Sequence, residues 1–179
     1  GGPYDTLEEV IGIRGEGMGS LKEYGITYKQ VELLPDGSID LETLGKTISE
    51  KTKMVSIQRA TGYSWRNSIT VNQIAETAEF VHRINPEIIC MTDNCYGEFL
   101  DIKEPTDVGI DVMAGSLIKN PGGGIAPTGG YIAGKDKYVD MCAQRLSAPG
   151  VGKEVGCTLG NTRSLFMGLF FAPTVVASA

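Results

Sequence analysis

The sequence predicts an α/β fold: a mostly parallel sheet flanked by helices. Short apolar strands alternate with amphipathic helices along the chain, the pattern of β/α units in a parallel sheet. The segment Glu87 to Asp93 (EIICMTD) is almost wholly apolar, as expected of a strand covered on both faces. Thr70 and Gln73 have capping-box spacing at the head of a helix whose apolar residues recur every three or four positions.

The elements follow in order. Ile26 to Leu33 (ITYKQVEL) reads as a strand, Pro35-Asp36-Gly37 as a turn, and Asp40 as the cap of a helix reaching about Ser49. Lys53 to Arg59 (KMVSIQR) is a second strand. In the helix opened by Thr70, Val71, Ile74, Ala75, Ala78, Val81 and Ile84 follow at spacings of three and four on one face, and Asn85-Pro86 ends it. After Glu87 to Asp93 come strands at Asp111 to Leu117 (DVMAGSL) and Gly130 to Gly134 (GYIAG), then a helix from Asp136 to Leu146. No repeat, low-complexity tract or linker marks a boundary, so residues 1–179 are read as one domain.

Composition narrows the function classes. The 179 residues carry a net charge of −6, which argues against nucleic-acid binding and against docking on an anionic membrane. The longest apolar stretch, Leu165 to Ala179, is interrupted by Gly168, Pro173 and Thr174, so no membrane span is expected. The N-terminus lacks a basic stretch followed by an apolar one, so no secretory signal is expected. Cys90, Cys95, Cys142 and Cys157 form no CxxC pair and read as reduced thiols of a cytoplasmic protein. With His82 as the sole histidine there is no zinc signature. His82 itself reads as a solvent-side or packing residue of its helix. The chain opens Gly1-Gly2-Pro3-Tyr4 and closes inside an apolar helical stretch, so an internal fragment of a longer enzyme is expected.

Two residues carry the chemistry. Lys119 stands in Gly115-Ser116-Leu117-Ile118-Lys119-Asn120-Pro121-Gly122-Gly123-Gly124, among apolar and glycine neighbours. Partial desolvation there lowers a lysine's pKa and makes a nucleophilic amine, whereas a lysine reaching water would be merely a strand-end residue. Asp93 ends an apolar strand, and a carboxylate at that depth needs a partner. A pyridinium nitrogen, such as that of pyridoxal 5'-phosphate (PLP), is one such partner, and capping of the following turn is the other reading. The two residues lie at the ends of successive strands, about one β/α unit apart, on the side where open α/β sheets bind ligands. The glycine run fits neither a dinucleotide fingerprint nor a P-loop, and reads as close backbone approach around a cofactor or as a flexible loop.

Asp93-Asn94-Cys95-Tyr96-Gly97-Glu98 followed by the Gly115–Gly124 run resembles the fold-type I PLP enzymes, the aspartate aminotransferase-like group. Within it the chain is most similar to the cystathionine β-lyase/methionine γ-lyase-like family of aluminium-resistance proteins. Ile57-Gln58-Arg59, Gly62-Tyr63-Ser64-Trp65-Arg66, Gly129-Gly130-Tyr131-Ile132-Ala133-Gly134 and Ala148-Pro149-Gly150-Val151-Gly152 extend the likeness over nearly the whole chain. The resemblance implies a PLP-binding large-domain core in which Lys119 forms the Schiff base and Asp93 holds the ring nitrogen. It implies β- or γ-elimination from a sulfur-containing amino acid, and a homodimer or homotetramer with the site at the subunit interface. Ser116 matches a position whose hydroxyl contacts the cofactor phosphate, or is a small residue packed at a strand end. Ile118 stands where related lyases often have Thr. The family's main phosphate loop and its C-terminal small domain have no counterpart in these residues.

Arg66 is the candidate for the substrate carboxylate, since arginine pairs with anions in bidentate fashion. Arg59 and Arg163 read as surface or structural arginines. Tyr63 and Tyr96 stand near the cofactor or simply pack. Two other readings remain: another fold-type I PLP enzyme, an aminotransferase or cysteine desulfurase, and a catalytically silent fragment or binding protein.

Overall fold

The computed structural model describes residues 2–156 and 159–178. Their contacts gather into two compact units, Gly1–Thr52 with Thr61–Asn67, and Lys53–Ala60 with Ser68–Ala179.

The first unit contains helix α1 (Asp5–Ile11), a 3₁₀ turn (Leu21–Tyr24) and helix α2 (Leu41–Thr47). Asp40 caps α2 as its sequence position requires, accepting the Thr43 N–H at 2.8 Å. The Pro35-Asp36-Gly37 turn forms, with Gly37 at φ +85° and the Ser38 N–H held on Asp36 Oδ1 at 2.9 Å. The strand expected at Ile26 to Leu33 does not form. That stretch is extended and largely exposed, and its one ladder contact is an isolated bridge from Leu33 to Ile39. Its residues favour a strand, but β-propensity is realised only against a neighbouring strand and a buried face.

The second unit is a four-stranded sheet in the order β1 (Met54–Gln58), β2 (Ile89–Asp93), β3 (Val112–Ser116), β4 (Gly130–Gly134). The first three strands are parallel and β4 is antiparallel to β3. Helix α3 (Val71–Ile84) carries the chain back between β1 and β2, whereas β3 and β4 are joined by residues 117–129, which hold a 3₁₀ turn and no α-helix. The capping box at Thr70 and Gln73 is present, and Val71, Ile74, Thr77, Ala78 and Val81 form the buried face of α3. They contribute to a core with Ile57, Ile88, Cys90, Ile110 and Val112.

Helices α4 (Asp136–Leu146) and α5 (Thr162–Val176) complete the unit. Gly168 of α5 packs backbone to backbone on Gly122 and Gly123, leaving no room for a Cβ at Gly168 or Gly123, while the Leu117 carbonyl fills the space a Cβ would need at Gly122. In the glycine run after Lys119, expected to approach a cofactor or to form a flexible loop, Gly123 makes its close approach to α5 and Gly122 to the Leu117 carbonyl, while Gly124 faces open space. Phe166 and Phe170 of α5 point outward, 71% and 77% exposed. None of the described helices is long and apolar enough to cross a membrane.

Ile74, wholly buried on α3, tests this core. Ile74→Ala should lower unfolding stability by about 2–5 kcal/mol, whereas Glu76→Ala, on the exposed side of the same helix, should change it by about 0.5 kcal/mol or less. Chemical denaturation of the full-length protein reads both.

Candidate active site

Parallel pairing of β1, β2 and β3 brings the carboxyl ends of three strands to one edge. Asp93 is opposite Gln58 on one side and Ala114 on the other. The ladder runs one residue further: the Asn94 N–H donates to the Ala114 carbonyl at 2.8 Å, and the Arg59 N–H to the Asp93 carbonyl at 3.1 Å. Asp93 is thus fixed by backbone on both flanks. Its Oδ1 accepts the Cys95 N–H at 3.0 Å, so it does cap the turn that follows β2. That bond uses one acceptor position and leaves the carboxylate capacity for another donor.

Ser116 ends β3, paired with Gly130 of β4. Its hydroxyl accepts the Ile118 N–H at 3.2 Å, and this small turn delivers Lys119. The Lys119 ammonium lies over the Tyr96 ring, 4.4 Å from its centroid, a favourable cation–π contact. Tyr96 is held at φ +65°, a left-handed conformation uncommon for an aromatic residue. Cys95 bears on both Asp93 and Lys119. Burial, then Asp93, push its thiol up to about 11, so it is a neutral thiol at physiological pH. Cys95 reads in sequence as one of several scattered thiols; only the turn after β2 reveals its place between the two principal residues.

The expected lowering of the Lys119 pKa is not found. Burial does pull it down, but contact with Cys95 and the electrostatic influence of Cys95, Tyr96 and Asp93 outweigh burial and raise it. The apolar neighbours in sequence do not surround the amine; it reaches past them to the Tyr96 ring face and the Cys95 thiol.

Lys119, Asp93, Ser116 and Tyr96 all belong to the second unit. Tyr63 and Arg66 belong to the first. Tyr63 is almost fully exposed. Arg66 donates to the Asn67 carbonyl at 2.8 Å and lines a cleft of about 660 Å³ with Glu32, Asp36 and Trp65, and burial lowers its pKa. Arg59 is a structural arginine, 4% exposed, bonded to Asn94, Gly97 and Asp101.

At the opposite end of β2 and β3, Asp111 gathers a second cluster. Its Oδ2 accepts the Cys90 N–H at 2.7 Å and faces His82 Nε2 at 3.1 Å, while Oδ1 pairs with Lys135 at 2.6 Å. Burial works to raise this carboxyl, but the three partners outweigh it and hold it below the usual range. His82 is therefore a hydrogen-bond partner of a buried carboxylate, a role its position on α3 does not disclose. His82, Cys90 and Asp111 place three potential metal-ligand atoms within 4.8 Å of one another. Both carboxylate oxygens are already engaged, and burial pushes the Cys90 thiol up to about 12, so the cluster reads as an anchored ion pair.

With this geometry in view, the family model for methionine gamma-lyase matches residues 1–179. The Bacillus subtilis (strain 168) protein YnbB is 49% identical over 180 residues, covering all of this chain and 43% of its own length. A Listeria innocua structure described as "putative cystathionine beta-lyase involved in aluminum resistance" superposes with a TM-score of 0.94 at 55% identity, over 100% of this chain and 44% of that one. A "carbon-sulfur lyase involved in aluminum resistance" from Clostridium novyi NT gives 0.91 at 51% identity, over 99% and 42%. This chain thus spans less than half the length of these relatives. Residue pattern, sheet order and comparison agree: the chain belongs to the methionine gamma-lyase family.

Proposed function

We propose that these residues form the cofactor-holding part of a PLP-dependent carbon–sulfur lyase acting on a sulfur-containing amino acid. The observation that carries the reading is the pairing of Asp93 and Lys119 at the ends of adjacent parallel strands, with Tyr96 against the lysine. The names of the relatives support the reaction class.

The residues fit PLP. Asp93 offers a carboxylate with free acceptor capacity for a ring N–H. Lys119 offers a half-buried primary amine. Ser116 keeps its hydroxyl proton for a phosphate oxygen, since its oxygen serves as acceptor within its own turn. PLP, when bound, supplies an electron sink that stabilises negative charge at Cα while a thiol departs.

The remaining work falls to this chain. Asp93, fixed on both flanks by the ladder, keeps a proton on the ring nitrogen. Tyr96 holds the Lys119 side chain along one face of its ring. With PLP bound, the Lys119 amine would be the base for the substrate Cα proton. Because its pKa is raised, it is an ammonium at neutral pH before cofactor arrives and must lose a proton to react. The cytoplasmic setting, a multimeric assembly and a carboxylate-binding role for Arg66 belong to the same proposal.

The direct assay gives the full-length protein PLP with cystathionine, methionine or cysteine, and follows keto acid and released thiol or sulfide. Elimination products support the reading. Amino-group exchange with an added keto acid, or sulfur transfer without keto acid, assigns another PLP reaction, and silence with all three leaves a binding protein. Asp93→Asn should keep PLP yet lose most turnover, whereas Lys119→Ala should cost on the order of 10²–10⁴-fold or more in rate. Near-normal turnover in Asp93→Asn would reduce Asp93 to a turn cap.

Loading of cofactor-free protein should accelerate with pH. The reactive species is the neutral amine, so the rate should rise about tenfold per pH unit below the lysine pKa. Absorbance of the bound cofactor between pH 7 and 9 measures this, and a flat profile would contradict the raised pKa.

A further inference from the structure

Behind the Lys119 turn lies a buried polar cluster that the proposed chemistry does not use. Asn94, 0% exposed, is its hub. Asn94 Oδ1 accepts from Arg59 at 2.9 Å, and its Nδ2 donates to Glu104 Oε2 at 2.9 Å and to the Tyr131 hydroxyl at 3.3 Å. The Tyr131 hydroxyl in turn donates to Glu98 Oε1 at 2.9 Å. Asn120, the residue after Lys119, donates to the Glu98 carbonyl at 3.0 Å. Glu104 Oε1 accepts the Phe99 N–H at 2.8 Å. One cluster thus joins residues that follow β1, β2 and β3 to one within β4.

The cluster accounts for motif glycines that the cofactor does not. A Cβ at Gly97 would overlap the Arg59 guanidinium and the Asn94 oxygen; a Cβ at Gly115 would overlap the Tyr131 hydroxyl and the Glu98 carboxylate. It also restrains the turn after β2, in which Tyr96 and Phe99 both adopt φ +65°. Such conformations are strained for residues with a Cβ and persist only where surroundings over-determine them.

The charges and hydrogen bonds around Glu98 do not close if it is ionised. Glu98 is 3% exposed. Arg59 is committed to Asp101, Glu104 is a second carboxylate on the same hub, and Lys119 is the cation bearing on Glu98, with its amine turned toward Tyr96 and Cys95. Among the described residues, Glu98 Oε2 and Asn120 Oδ1 are buried acceptors without a donor, and the two residues are already bonded to each other. A proton on Glu98 Oε2 turns an orphaned acceptor into a donor beside a residue whose oxygen needs one.

We propose that Glu98 is a positioning residue that remains protonated in the folded protein, and that its carboxyl, as a donor, fastens the Asn120 turn carrying Lys119 to the turn carrying Tyr96. Burial pushes the Glu98 carboxyl above its usual range, over the opposing hydrogen bond from Tyr131 and the charge of Lys119. The significance of the fastened turn rests on Lys119 being the cofactor lysine; the proton on Glu98 does not.

The sign of the pH dependence separates the alternatives. Folded Glu98 keeps a proton that the unfolded chain releases above the ordinary glutamate pKa. The stability it confers is complete below that value and is lost as pH rises toward the folded-state pKa. Gln mimics the protonated acid and cannot ionise. In cofactor-free full-length protein, Glu98→Gln should therefore gain stability relative to wild type as pH is raised from 5 to 9. Each unit of raised pKa contributes about a tenfold change in the relative unfolding constant. A difference that is flat, or that falls with pH, overturns the proposal. Should Glu98→Gln fail to fold, infrared spectra of wild type labelled in its glutamate carboxyls decide: a protonated carboxyl band surviving at pH 7 is expected, and its absence overturns the proposal. Uptake of PLP by wild type is read separately by absorbance. With PLP bound, Glu98→Gln should keep the wild-type spectrum and Glu98→Ala should not; no uptake by wild type defeats the lyase reading while leaving the stability trend intact.

Discussion

The parallel register of β2 on β3, with Asp93 opposite Ala114, fixes where every candidate residue of the second unit stands. It puts the last residue of β2 level with the third residue of β3, so that the chain leaving β3 needs only the small Ser116 turn to bring Lys119 back toward the turn after β2. A slip of one residue would turn Asp93 to the other face of the sheet. The register is held by the fully buried Thr92, by Cys90 whose N–H is bound to Asp111, and by the continuation of the ladder from Asn94 to the Ala114 carbonyl.

The two ends of the same strands are finished differently. At the amino end, one buried carboxylate, Asp111, is satisfied by His82, Lys135 and a backbone N–H, and ties α3 and the start of α4 to the sheet. At the carboxyl end, a buried hydrogen-bond cluster around Asn94, drawing in Arg59, Glu104 and Tyr131, supports a half-exposed lysine and aspartate. Rigid groups behind and reactive groups in front is the arrangement expected where a site needs fixed geometry. Gly168 of α5, pressed on Gly122 and Gly123, closes the turn from the far side.

Much of this was legible in the sequence because it is local. The capping box at Thr70 and Gln73, the apolar β2 strand and the Gly130–Gly134 strand need only neighbours in the chain to define them. Asp93 and Lys119 stand out as candidates because they end successive strands within motifs that resemble the family, one closing an apolar strand and the other following a glycine-flanked one. What depends on distant partners was not legible. Ile26 to Leu33 has strand residues but no neighbouring strand. Lys119 has apolar sequence neighbours but a ring and a thiol beside its amine. His82 and Asp111 meet only once α3 lies along the sheet, and Asn94, Glu98, Asn120 and Tyr131 converge only when three strand ends and β4 are assembled.

The central claim is that Lys119 is the residue that bonds PLP. Borohydride reduction of the PLP-loaded full-length protein, followed by peptide mapping, tests it most directly. The account predicts that the reduced label is found on Lys119, in the peptide containing Gly115-Ser116-Leu117-Ile118-Lys119. Label on another lysine, such as Lys135 beside Asp111, or no label at all, would contradict it.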